Sequence, residues 1–210
     1  MKIALIGASG NIGSEIAHEA TRRGHTVTAI VRNPNSNGKL PGVQTKVSDL
    51  FEPTALRDAL QGHDVVASAY GPGTGDPTAV VKATVALLAA ARAAGIARLV
   101  VVGGAGSLEI GPGQQLVDSP NFPAAYKAIA LAHRDAFDHL RQVNDLKWTF
   151  FAPAAMIGPG EKTGHYRVGR KTLIADAAGN SKISYADFAD AFVTELERAE
   201  YPQEIVTAAY

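Results

Sequence analysis

The sequence predicts an α/β chain, a doubly wound parallel sheet with helices on both faces, folded as a single domain over residues 1–210. Three observations predict it. Short apolar runs alternate with helix-period segments along most of the chain, as successive βα units require. The first apolar run stops in a glycine-rich turn that opens a helical segment. The 210 residues, 46% apolar and 19% charged, suit one domain with a substantial core.

Residues 3–6 form a short apolar run ending in glycine, as a buried parallel strand does. A helical pattern follows over 12–23 and is closed by Gly24. Residues 25–31 and 43–47 are rich in β-branched side chains and read as the second and third strands. Pro53 suits the first turn of a helix running to Leu60. Residues 64–70 (DVVASAY) form a fourth strand leading into the loop GPGTGDP. A long Ala-rich helix over 78–94 stops at Gly95, and 98–102 is the fifth strand. A helix over 123–143 precedes the sixth strand, 147–151 (KWTFF). Beyond Pro153 the pattern loosens into a small C-terminal elaboration on the substrate side. It has short strands near 166–168 and 204–208, with a helix over 185–198 between them.

Composition excludes several classes of function. Lysine plus arginine and aspartate plus glutamate number 20 each, so no overall field recruits nucleic acid or an anionic membrane. Cysteine is absent, which removes disulfides and thiolate catalysis and suits a reducing cytoplasm. The apolar start MKIALIGASG is too short for a signal peptide. No run reaches the roughly 18 apolar residues of a membrane span. Glu161, Lys162, His165 and Arg167 show no metal-ligand spacing and read as a solvated loop, so no metal is expected.

The strongest local signal is Gly7-Ala8-Ser9-Gly10-Asn11-Ile12-Gly13, a GxxGxxG turn between the first strand and the first helix. Glycines there permit a tight turn, close approach of backbone to a pyrophosphate, and close helix–strand packing. The free N–H groups at the helix start suit phosphate. This context predicts a Rossmann fold that binds a nicotinamide dinucleotide. The second strand ends in Val31-Arg32-Asn33, where an acid would favour NAD(H). Arg32 instead suits the 2′-phosphate of NADP(H), with Ser36 and Lys39 able to assist. Alternatively Arg32 stacks on adenine and admits both dinucleotides. Asp49 and Leu50 stand where adenine is contacted, or Asp49 caps the helix that follows. Ligands in this architecture lie beyond the carboxyl ends of the strands, which gathers Ala69, Tyr70, Gly71, Gly103, Gly104 and Pro153 around one cleft.

With the turn, Arg32 and the segments GGAGSLE and FFAPAAM, the chain resembles the atypical short-chain dehydrogenases/reductases along essentially its whole length. Within them it is similar to the bacterial group assigned as NADH-flavin reductases, relatives of flavin and biliverdin-IXβ reductases and of NmrA-like proteins. The resemblance implies cofactor contacts from the glycine turn, Arg32, Ala69, Gly103 and Pro153-Ala154-Ala155-Met156. One departure matters. Short-chain dehydrogenases use a tyrosine with a lysine four residues later, whereas Tyr126 is followed at that spacing by Ala130. Lys127 is adjacent instead, and neighbouring helical residues point about 100° apart. Alcohol oxidation and epimerisation lose their acid–base pair.

Hydride transfer to a planar acceptor survives this loss, because the accompanying proton can come from solvent. The expected activity is NADPH-dependent reduction of such an acceptor. FMN is the first choice, as substrate or retained cofactor, and a quinone the next. The alternative is a non-catalytic NADP(H) sensor of the NmrA type. Tyr126 and Ser107 are the candidate catalytic residues, each also readable as an ordinary packing or loop residue. Tyr126 and His133 fall on one helix face at a spacing of seven, where they either border the cleft or pack as amphipathic core residues. The glycine-rich stretches 71–75, 103–113 and 158–164 are expected to form mobile rims of the cleft. The helix 78–94 packs within the monomer or also supplies a homodimer face.

Overall fold

A computed structural model describes residues 1–34 and 40–210. Ser36 and Lys39 lie outside the described residues. The chain begins with β1 (Lys2–Ile6), α1 (Asn11–Arg22), β2 (Thr26–Val31), β3 (Val43–Val47), α2 (Pro53–Leu60) and β4 (Val65–Ser68). It continues with α3 (Ala79–Ala93), β5 (Arg98–Val102), a 3-10 turn (Ala105–Ser107), β6 (Glu109–Gly111) and β7 (Gln114–Gln115). A second 3-10 turn (Leu116–Asp118) leads to α4 (Ala124–Leu140), β8 (Lys147–Ala152) and β9 (Met156–Gly158). The last elements are β10 (Arg167–Arg170), β11 (Lys182–Ser184), α5 (Tyr185–Arg198) and β12 (Glu204–Ala209).

The eight-stranded sheet has the order β10-β12-β8-β5-β4-β1-β2-β3, parallel throughout except for β10, which runs antiparallel to β12. Strand order reverses at β1, which pairs β2 on one side and β4 on the other. This is the doubly wound Rossmann arrangement, with its switch point between β1 and β4.

Both sheet faces are buried, which explains why the central strands are continuously apolar. Ile3, Leu5, Val27, Phe151 and Val206 face α1 and α5, where Ile16, Ala17, Phe188 and Phe192 meet them. Ala4, Ile6, Leu99, Val101 and Phe150 face the other way, onto Leu56, Leu60, Leu87, Phe137 and Leu140 of α2, α3 and α4. α3 buries Val80, Ala83, Leu87 and Leu88, and leaves Val85 exposed.

Beneath the α5 layer lies a buried ion pair. Glu195 accepts from Arg98, from Thr149 Oγ1 at 3.0 Å, and from the backbone N–H groups of Glu200 and Tyr201 at 3.1 and 3.2 Å. Its side chain is 2% exposed. Such a site tolerates the charge only while every partner is present. Glu195→Ala should therefore cost about 3–5 kcal/mol in urea denaturation by stranding Arg98. A loss below about 1 kcal/mol, the size of an exposed pair, would show that the guanidinium finds other compensation.

Candidate functional site

The main cleft, about 730 Å³, opens at the carboxyl ends of β1, β2 and β4 around the switch point. Its floor is the segment 7–13. Arg32, Leu50 and Phe51 wall one end, and Ile157 and Tyr185 the other, with Tyr70, Gly71 and Gly73 along the rim.

The three glycines of the floor are glycine for different reasons. Gly7 has φ +79°, and a Cβ there would stand 2.5 Å from the Ala69 carbonyl oxygen. A Cβ on Gly13 would stand 2.0 Å from the Gly7 carbonyl oxygen, so this glycine lets α1 sit directly on the end of β1. Gly10 is different. It is exposed, with φ −81°, and a Cβ would meet nothing nearer than the Gly7 carbonyl oxygen at 3.4 Å. Packing among the described residues does not demand glycine at position 10, and its bare backbone can be approached closely from the cleft. No side chain among the described residues caps α1, which leaves its leading N–H groups able to meet an anion. The residues present therefore fit a pyrophosphate.

Arg32 is exposed at its end of the cleft and forms no ion pair among the described residues. Leu50 is buried beside it, and Phe51 meets the Tyr70 ring edge-on at 6.2 Å. Asp49 stands outside the cleft wall and does not cap α2. Its Oδ1 accepts from the Phe51 N–H at 2.9 Å in a turn, while Glu52 is the N-cap of α2. Phe51, Tyr185 and Ile157 were not singled out from the sequence; Phe51 directly follows Asp49-Leu50, and that adjacency was the available signal.

Several expected site residues lie elsewhere. Gly103 and Gly104 are outside the cleft wall, and intramolecular packing accounts for both. A Cβ at Gly103 would stand 2.1 Å from the Phe150 ring, and one at Gly104 would stand 2.9 Å from His133 Cβ. Pro153, Ala154, Ala155 and Met156 also fall outside it. Ala154 is fully buried, the Ala155 N–H donates to Ser181 Oγ at 3.1 Å, and Met156 is exposed.

The candidate catalytic residues do not meet in the cleft. Tyr126 is 64% exposed in the first turn of α4. Ser107 is 3% exposed, and its hydroxyl has no hydrogen-bond partner among the described residues. Lys127 donates to the Val117 carbonyl and lies over the Phe122 ring. Ala130 is packed so tightly on Gly106 that a Cβ there would come within 2.9 Å of it.

One further expectation is corrected. The shared helix face of Tyr126 and His133 is not a cleft wall, because the His133 ring packs beneath Gly104 and edge-on to Phe150 at 6.4 Å. The stretch 158–164 is an exposed loop, as expected, and several of its groups are tied down. The N–H groups of Thr163 and Gly164 donate to Asp187 at 3.0 and 2.8 Å, and Lys162 pairs with Glu19 at 2.8 Å and Asp190 at 2.5 Å. Arg167 donates to the carbonyls of Ala175 and Tyr210. The stretch 103–113 is likewise ordered into a 3-10 turn and the β6–β7 hairpin. Burial opposes the charge of Glu19, yet hydrogen bonds from Arg22, Lys162 and Arg23 outweigh it and hold the carboxyl well below the usual range.

Residues 7–199 match the NAD(P)H-binding family. The chain belongs to that family. It is therefore a nicotinamide-binding protein of oxidoreductase-like fold. The uncharacterized protein YwnB of Bacillus subtilis is 42% identical over 210 residues, which span 99% of this chain and 97% of YwnB. A crystal structure from Burkholderia pseudomallei, of a protein provisionally named as exported, is 57% identical with a TM-score of 0.95 and covers 100% of both chains. A provisionally named NADH-flavin reductase from Streptococcus pneumoniae is 38% identical with a TM-score of 0.88, covering 100% of this chain and 99% of that one. No helix among the described residues is long and apolar enough to cross a membrane.

Burial pushes the His133 imidazole down to about 4. An unfolded histidine titrates near 6.5, so the unfolded state takes up this proton first as the pH falls. Stability is complete above about 6.5 and should decline by up to about 3 kcal/mol as the pH drops to 4. His133→Leu should flatten that part of the denaturation-versus-pH curve. Parallel curves for the two proteins would show that other groups carry the loss.

Proposed function

We propose that this chain is an NADPH-dependent reductase that delivers a hydride to a flat two-electron acceptor, FMN or a related flavin first and a quinone next. The observation that carries the reading is the floor of the cleft, where an exposed glycine that packing does not require lies over an uncapped helix start. Arg32 at one end supplies a planar cation where an NAD-specific site would carry an acid, and it favours a 2′-phosphate. When bound, the reduced nicotinamide supplies the hydride; one solvent proton completes the reduction of the acceptor. The protein's part is positioning. Ala130 on Gly106 favours an acceptor that needs no tyrosine–lysine pair. A co-substrate drawn from the reduced dinucleotide pool favours a cytoplasmic setting.

Two substitutions separate ligand contact from packing. Gly10→Ala should keep stability within about 1 kcal/mol, the scale of a cap change, yet weaken dinucleotide binding at least several-fold by calorimetry. Gly13→Ala should lower the melting temperature, because its Cβ meets the Gly7 carbonyl. Gly10→Ala with undiminished binding would remove the pyrophosphate from the floor.

The deciding assay follows NADPH absorbance with FMN, with a simple quinone and with neither, repeated with NADH. Saturable, acceptor-dependent oxidation is expected, and Arg32→Ala should weaken NADPH by roughly 1–3 kcal/mol while sparing NADH. Equal losses for both dinucleotides would defeat the 2′-phosphate assignment. Tight binding without turnover would identify a sensor instead.

A further inference from the structure

The two ends of the cleft belong to opposite halves of the sheet. Arg32 follows β2, and Leu50 and Phe51 follow β3, all on one side of β1. Ile157 lies on β9, which follows β8, and Tyr185 opens α5, which leads to β12; β8 and β12 stand on the other side. A dinucleotide with its adenosine at Arg32 and its pyrophosphate at Gly10 would run its remaining half away from β2 and β3, into the part of the cleft lined by Tyr70, Ile157 and Tyr185.

Tyr185 is held there by unusual local bonding. Ser184 before it caps α5 by accepting from the Asp187 N–H at 3.0 Å, its hydroxyl donates to the Glu161 carbonyl at 3.1 Å, and its own N–H donates to the Tyr210 hydroxyl oxygen at 3.1 Å. Asp187, fully buried, gathers Thr163, Gly164 and the Tyr210 hydroxyl. The residues flanking Tyr185 are thus fixed while its own side chain stays in the cleft. Its hydroxyl accepts from Asn11 Nδ2 at 3.4 Å, a long bond, and donates to no partner among the described residues. A phenol with an unused proton faces the helix start beside the pyrophosphate floor.

We infer that Tyr185 is the positioning residue for the nicotinamide riboside. Its ring, with Ile157, forms the wall against that half, and its hydroxyl donates to an oxygen of it. This rests on the dinucleotide orientation proposed above but needs no particular acceptor. It makes α5, a helix of the C-terminal elaboration, part of the cofactor site.

The test is calorimetric titration of the full chain with NADP⁺ and, separately, with adenosine 2′,5′-bisphosphate, which has no nicotinamide half. Tyr185→Ala should weaken NADP⁺ about tenfold and leave the bisphosphate within about twofold; Tyr185→Phe should give a smaller, NADP⁺-specific loss. Equal losses for both ligands, or none for NADP⁺, would overturn the assignment. If the wild type prefers NAD⁺, the same comparison runs with NAD⁺ and ADP, and only the Arg32 reading falls. If the wild type oxidises no dinucleotide with any acceptor, the reductase reading falls and the ligand-specific loss still decides Tyr185.

Discussion

The contact between Gly13 and the carbonyl of Gly7 governs where everything else can stand. With a Cβ excluded at 2.0 Å, α1 rests its first turn directly on the end of β1, at the strand where the sheet changes direction. From that one approach follow the orientation of the helix start toward the cleft and the placing of Gly10 at its lip. Gly7 makes the approach possible by taking a left-handed backbone conformation beneath the Ala69 carbonyl, which locks the turn to the end of β4 as well. The floor is therefore a junction of β1, α1 and β4.

The second organising feature ties the C-terminal elaboration to this junction. Glu19 on α1, nearly buried, receives Arg22, Arg23 and Lys162, while Arg23 also reaches Asp190 and Glu197 on α5. Tyr166 donates to Asp190. Surface ion pairs contribute little one at a time, but here several converge on one shielded carboxylate, where separation costs more. The 162–166 segment and α5 are thus fastened to the same helix whose start forms the cleft floor. A wall built from Ile157 and Tyr185 can then hold a constant distance from that floor.

Most of the fold was legible in the sequence because both faces of the sheet are buried. Such strands are short, continuously apolar and separated by helix-period segments, so residues 3–6, 98–102 and 147–151 announce themselves. β6, β7, β9 and β11 have three residues or fewer, too few to show any period, and they went unseen. The glycine turn was legible for the same reason as the strands: its neighbours define it. What could not be read was the partner of a charged or small residue. Lys162 is exposed as its polarity suggests, but its partner Glu19 lies 143 positions away in the chain, so the ion pair has no local signal. Gly103 and Gly104 look alike whether a ligand or an aromatic ring presses on them, and here Phe150 and His133 occupy the space. Tyr185 read only as a helix start, since its distinction comes from tertiary bonding.

The missing lysine is built into the packing as well as the sequence. Ala130 contributes to the seat of the 3-10 turn that follows β5, pressed against Gly106, while Lys127 is committed to the Val117 carbonyl. The same turn carries Ser107, whose side chain is buried away from the cleft. The α4 side of the molecule is thus closed around apolar contacts, and chemistry that draws protons from a tyrosine has no supporting shell. What remains open is the surface between the glycine floor, Tyr70 and Tyr185, lined by rings and backbone. In the proposed reaction that surface would hold flat ligands in register and water would supply the proton, the division of labour that hydride transfer between two planar rings requires.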